Sequence, residues 1–131
     1  MNYDFSTLES AYHQLSTALQ QDPANDLERD GVIKRFEYCV ELSWKTIRSI
    51  LLKAGRSEVS ASPRPLVREA IKEGLIDSFE EWNEFIEARN ESSHTYQQKT
   101  ANHVFEVSRR FPDASEKLLS RLKEFAARNF L

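Results

Sequence analysis

The chain has 131 residues, of which only 3 are Gly and 4 are Pro; 40% are hydrophobic, 30% are charged, and the formal net charge is −3. So few turn formers exclude an all-β sandwich or barrel, which needs a turn every ~8–12 residues, and leave no glycine-rich phosphate loop of Walker or Rossmann type. The hydrophobic share excludes disorder, and without the basic surplus of a dedicated nucleic-acid binder any RNA contact must be local, or come from a partner or from dimerisation.

The periodicity is helical almost throughout. Phe5, Leu8, Tyr12, Leu15 and Leu19 form one apolar stripe, with Ser6 and Glu9 in capping-box register at its start and Pro23 at its end. A second helix begins between Asp26 and Gly31 and runs to Gly55. Val32, Phe36, Val40, Trp44, Ile47 and Leu51 share its apolar face, widened by Ile33, Cys39 and Ile50. At ~25 residues it spans about 37 Å, and Gly55 stands where a left-handed C-terminal cap belongs. Residues 56–61 form a loop. Ser62 and Pro63 then read as N-cap and first residue of a short helix to Gly74, with Leu66, Val67, Ala70 and Ile71 inward. Ser78 and Glu81 make a second capping box, opening a helix with Phe79, Trp82, Phe85 and Ile86 inward. Residues 90–99 are polar and weakly periodic. A helix resumes near Thr100 with Val104, Phe105, Val107, Ser108 and Phe111 inward, Pro112 interrupts it, and Asp113 with Glu116 caps a last helix carrying Leu118, Leu119, Leu122, Phe125 and Ala126.

No repeat, low-complexity tract or linker divides this pattern. It predicts an all-α protein, a single domain over residues 1–131, folded as an up-and-down antiparallel helical bundle. The second helix is long for so small a domain and is expected to project surface that a second copy covers. Cys39 lies among apolar residues and reads as a small buried hydrophobe. The N-terminal MNYDFSTLES has no basic segment followed by an apolar run, and the longest aliphatic run is Ile50–Leu52; both point to a cytoplasmic protein. His13 and His103 have no Cys or carboxylate at metal-ligand spacing, so neither a metal nor a cofactor is expected. Arg64 and Arg68, four apart on the short third helix, are candidate phosphate or substrate contacts, against a plain solvated face. Arg109 and Arg110 suit a helix C-terminus. Trp44 and Trp82 fall on core stripes, and Phe130-Leu131 is an apolar end able to dock on the bundle.

The chemistry concentrates in Arg89-Asn90-Glu91-Ser92-Ser93-His94-Thr95-Tyr96: a guanidinium, an amide, two hydroxyls, an imidazole and a phenol in eight residues. An acid/base, a fixed cation and hydrogen-bond donors are the usual catalytic ingredients. Five steps of about 100° leave Arg89 and His94 ~140° apart on a straight helix. They converge only if the helix ends between them or if they meet a second chain. The plain alternative is that Arg89 pairs with Glu87, Glu91 or another local carboxylate while His94 begins a loop. Glu80, Glu81, Glu84, Glu87 and Glu91 also crowd the segment with negative charge, which opposes phosphate binding and equally suits a surface for docking a partner.

Arg89…His94-Thr95-Tyr96 matches the R-x4-H-x-Y signature of HEPN domains, with Asn90 as the polar residue that follows the Arg. The ordered set Glu28–Tyr38, Glu41–Lys45, Pro65–Ala70, Gly74–Asp77, Trp82 and Arg89–Tyr96 resembles more specifically the nucleotidyltransferase substrate-binding protein family. The resemblance implies a helical bundle similar to the helical domain of kanamycin nucleotidyltransferase, usually a homodimer. Its partner would be a minimal nucleotidyltransferase encoded by a neighbouring gene. Members with the intact motif imply a metal-independent RNA endonuclease toxin with Arg89 and His94 catalytic and Asn90, Ser93 and Tyr96 supporting. The partner then acts as antitoxin and transfers AMP to the motif tyrosine, here Tyr96.

That chemistry is sound on its own terms. A base takes the 2′-OH proton and the oxygen attacks the adjacent phosphorus in line. The ordinary pKa of an imidazole, about 6.5, suits His94 to this transfer. The Arg89 fork can hold two phosphate oxygens and stabilise the added charge. Two readings stay open: a ribonuclease held inactive by a nucleotidyltransferase, and a non-catalytic subunit that helps such an enzyme bind its substrate.

Overall fold

The computed structural model describes residues 3–130. They form six helices, α1 (Ser6–Ala18), α2 (Asp26–Lys53), α3 (Pro63–Lys72), α4 (Phe79–Glu91), α5 (Gln98–Ser108) and α6 (Phe111–Asn129), with a short 3₁₀ turn at Ser92–His94. The fold is the expected all-α, up-and-down bundle. α2 and α6 run one way and α1 and α4 the other, as their side-chain pairs record. Cys39 meets Ala11 and Arg35 meets Gln14 between α2 and α1. Ser92 and Arg89 meet Glu37 and Glu41 between the α4 end and α2. Lys123 meets Glu9 between α6 and α1. α3 packs antiparallel on α4, and α5 lies across the N-terminal end of α2. None of the described helices is long and apolar enough to cross a membrane.

The core follows the apolar stripes. Phe36, Phe85, Phe111 and Trp82 meet edge to face with ring centroids 5.0–6.4 Å apart, the geometry that aligns positive ring edges with negative faces. Trp82 is buried, whereas Trp44 is half-buried at the edge of the α2 face. Cys39 is buried, its thiol donates to the Ala11 carbonyl, and burial pushes its pKa up to about 12. Phe130 packs against the core and stacks with Tyr3; Leu131 lies outside the described residues.

Helix ends match the expected punctuation in most places. Asn25 caps α2 by accepting from the Glu28 amide at 2.9 Å, while the Glu28 carboxylate reaches back to the Ala24 amide at 3.0 Å. Ser78 caps α4 through the Glu81 amide at 3.1 Å. Gly55 and Gly74 take φ of 86° and 78° after α2 and α3. At each, the amide after the glycine reaches back to a carbonyl five residues earlier: Arg56 to Leu51 at 3.1 Å and Leu75 to Ala70 at 2.9 Å.

Three ends differ. The Ser6–Glu9 capping box does not form; the Asp4 carboxylate accepts from the Ser6 amide at 2.9 Å instead. α1 stops at Ala18, ahead of Pro23. Pro112 does not break a helix but sits in the first turn of α6, where its missing N–H costs nothing. Asp113 therefore lies inside that turn rather than capping it.

Candidate functional site

Residues 89–96 occupy the junction between α4 and α5. No glycine ends α4. Two serines do so: Ser92 Oγ lies 2.6 Å from the Arg89 carbonyl, and Ser93 Oγ donates to the Asn90 carbonyl at 3.2 Å. Hydroxyls that bond carbonyls three residues back satisfy the orphan acceptors of a helix end. The chain tightens into the 3₁₀ turn, and Arg89 and His94 come to lie on either side of the break.

Arg89 leans from α4 onto α2 and pairs with Glu41; both side chains are roughly three-quarters buried. Its Nε is buried without a hydrogen-bond partner. One helical turn along α2, Glu37 Oε2 lies 2.8 Å from Ser92 Oγ, whose single proton is shared between that carboxylate and the Arg89 carbonyl. Burial raises the Glu37 carboxyl, but the Ser92 hydroxyl, Lys34 and Arg89 outweigh it, and the net position is below the ordinary carboxylate range. So Arg89 is drawn to a carboxylate, as the plain reading of the sequence allowed, but to Glu41 on another helix rather than to Glu87 or Glu91.

His94, Tyr96 and Asn90 face solvent. Tyr96 is 77% exposed, the most accessible aromatic ring of the described chain. Its hydroxyl lies 3.5 Å from His94 Nδ1, and the rings meet edge to face at 5.9 Å. His94 and Tyr96 thus form one accessible pair. No hydrogen bond or ion pair among the described residues joins either of them to Arg89. Ser93 bonds only within the helix end, so of the two hydroxyls it is Ser92 that ties the junction to the rest of the molecule.

Arg64 and Arg68 lie on the other flank of α4. Arg64 Nε donates to Asn83 Oδ1 at 2.6 Å and its fork lies 3.8 Å from Glu87; Arg68 covers the Phe79 ring at 4.4 Å. Both contact α4 from α3, and neither is joined to Arg89 by a hydrogen bond or ion pair among the described residues. The acidic face of α4 is partly neutralised: Glu84 pairs with Arg110, which holds its carboxyl below the usual range, and Glu87 faces Arg64. Arg109 meets Asp22 and Glu106.

Sequence reasoning assigned no role to Glu37, Glu41 and Ser92. The two glutamates stand four apart on α2 with Lys34 and Lys45 around them, a pattern that an ordinary solvated face also shows. Their partners are some fifty residues away, and only the tertiary arrangement reveals them.

The fold and the sequence both have solved and curated counterparts. A Haemophilus influenzae protein named probable ribonuclease HepT is 30% identical over 127 residues, covering 92% of this chain and 87% of the relative. A solved Haemophilus influenzae structure, described as revealing the fold of a substrate-binding domain of a nucleotidyltransferase, superposes with a TM-score of 0.79 at 28% identity, over 92% of this chain and 99% of that one. A protein from Thermus thermophilus gives 0.78 at 29% identity over 88% and 98%. The family described as nucleotidyltransferase substrate binding protein like matches residues 3–124, and the chain belongs to that family.

Proposed function

We propose that the protein is the HEPN subunit of a pair with a minimal nucleotidyltransferase, and that it is a metal-independent RNA endonuclease acting as a toxin. The observation that carries this reading is the break in α4: a guanidinium precedes it, and an accessible imidazole and phenol follow it, in the order R-x4-H-x-Y. The relative named a probable ribonuclease supports it. In the reaction His94 takes the 2′-OH proton, and the oxygen attacks phosphorus. The 5′-oxygen leaves with a proton supplied by water, giving a cyclic phosphate and a 5′-hydroxyl, and His94 returns its proton to solvent. Arg89 exchanges Glu41 for the phosphate and stabilises its transition-state charge. Asn90 stands beside it to orient the phosphate.

The nucleotidyltransferase partner controls the activity through Tyr96, whose exposed hydroxyl is open to AMP transfer. An AMP there would place bulk and negative charge against His94. Two copies would bring two motifs to one groove, and light scattering should return a dimer.

The test is expression of the protein alone. Growth should arrest, and Arg89→Ala or His94→Ala should relieve the arrest. Equal tolerance of the wild type and both variants sinks the ribonuclease reading. Co-expression with the nucleotidyltransferase should add the mass of AMP at Tyr96, and an unmodified Tyr96 in a neutralised pair removes that mode of control.

A further inference from the structure

Arg29, near the start of α2, is the most deeply buried charged residue described, at 8% exposure. Nε and one terminal nitrogen bond Asp30 Oδ1, both at 3.1 Å. The other terminal nitrogen bonds Gln98 Oε1 at 2.5 Å and Asn102 Oδ1 at 3.3 Å, and lies 3.3 Å from Asp26. Gln98 closes the ring by donating to Asp26 Oδ2 at 2.6 Å. Every nitrogen of the guanidinium is engaged and two carboxylates neutralise it, so it has nothing left to offer a ligand.

Its work is directed at α5. Gln98 is the first residue of that helix and Asn102 follows one turn later. The α5 N-terminus lacks its own stop signals: Gln97 provides no side-chain cap, the first turn holds no acidic residue, and Lys99 there opposes the helix dipole. The polar ties at the start of α5 therefore come from α2, beside the core packing of Ala101, Val104 and Phe105. An apolar contact would hold the two helices together as well, but only a fork fixes which residue starts the helix. The residues just before Gln98 are His94, Thr95 and Tyr96, with Gln97 between. Their other end is tied to the same helix, through Ser92 to Glu37 and Arg89 to Glu41.

We infer that Arg29 is a positioning residue for the His94–Tyr96 turn, acting through Gln98. The inference rests on the reading of residues 89–96 as the reaction site. Gln98→Ala tests it without stranding the buried charge, since Arg29 keeps Asp26 and Asp30. Amide hydrogen exchange at residues 93–97 should rise about tenfold, with Phe85 and Ile86 of α4 unchanged. The chemical shifts of the His94 ring should move. Arg29→Lys, whose single ammonium cannot span Asp30 and Gln98 together, should loosen the same amides. On a mixed-sequence single-stranded RNA, kcat should fall about tenfold with KM within about twofold. Unchanged exchange and unchanged His94 ring shifts in Gln98→Ala overturn the clamp, whatever the activity. A loosened turn, in a protein whose wild type leaves RNA intact, upholds the clamp and defeats the ribonuclease reading instead.

Discussion

α2 and α4 end in different ways. After α2 the chain turns on Gly55, at φ 86°, and the turn is closed by backbone bonds within six residues. After α4 the chain has no such residue to turn on, for there is no glycine or proline from Leu75 to Phe111. That turn is closed by two serine hydroxyls, and it is held in place by Glu37, Glu41 and Arg29 of a helix some fifty or more residues away in sequence. The first junction is specified by its own residues and exposes nothing reactive. The second is anchored from outside, through Ser92 and Arg89, and His94 and Tyr96 take no part in that anchoring. A turn built that way can carry an imidazole and a phenol into solvent and still keep one geometry.

The comparison breaks most sharply in activity. His94→Ala and Arg89→Ala should each lower the RNA cleavage rate by about 10²–10⁴-fold, the usual worth of a general base or a phosphate-stabilising cation. Arg89→Ala also strips the largely buried Glu41 of its partner and should lower the thermal midpoint, whereas His94→Ala should not move it by more than a few degrees. Gly55→Ala should do the reverse and leave the specific activity of the folded protein unchanged. Rates and midpoints measured on the same preparations separate the two outcomes.

The glycine junctions come next. An added Cβ meets no atom within 4 Å at Gly55 or Gly74, so the cost of Ala there is purely that of forcing an L residue to φ 86° or 78°. That cost is about 1–2 kcal/mol at each site. Chemical denaturation should return it for both, and the two losses should depart from additivity, because Arg56 beside Gly55 pairs with Glu73 beside Gly74.

Ser92 and Ser93 give a finer contrast. Ser92 is buried and reaches Glu37; Ser93 is exposed and bonds only the Asn90 carbonyl. Ser92→Ala leaves a half-buried carboxylate short of a donor and should cost about 1–2 kcal/mol. Ser93→Ala should stay within about 0.5 kcal/mol. Equal losses in urea would place the anchoring of the turn elsewhere.

These differences also explain what the sequence made legible. The apolar stripes, the cap at Ser78 and the two glycine stops act over one to five residues, so their signals are local and sit beside their effects. The role of Pro112 differs from the expected one because a proline stops one helix and starts the next equally well, and only the end of α5 at Ser108, ahead of Phe111, decides which. At the candidate site, the motif residues were legible as a cluster. Their supports were not: Glu37 and Glu41 look like any exposed glutamates on a long helix, and Arg29 among Glu28 and Asp30 looks like a solvated charge run. Arg64 and Arg68 show the converse case. Their spacing suits a phosphate, but Asn83, Glu87 and Phe79 already occupy them.

The smallest effect concerns acid. Burial raises the Glu37 carboxyl, but the Ser92 hydroxyl, Lys34 and Arg89 together hold it below its ordinary value of 4.5. A carboxyl depressed in the folded state binds its proton more readily when unfolded. Its contribution is therefore complete above the ordinary value and is lost as pH falls through the folded one. The wild type should exceed Glu37→Gln in stability at pH 7 by a few tenths to about 1 kcal/mol, the scale of a part-exposed charged pair. That margin should shrink steadily below about pH 4.5 and disappear once the carboxyl is protonated in both states. Gly55→Ala offers the control: the carboxylate at that turn is Glu73, paired with Arg56, and not Glu37, so its deficit should not depend on the Glu37 proton. Paired urea titrations at about pH 7 and about pH 3.5, on either side of that ordinary value, would read both. A Glu37→Gln margin that stays constant across that interval would mean that the neutral amide grips Ser92 as well as the carboxylate does, and that the turn after α4 is held by shape rather than by charge.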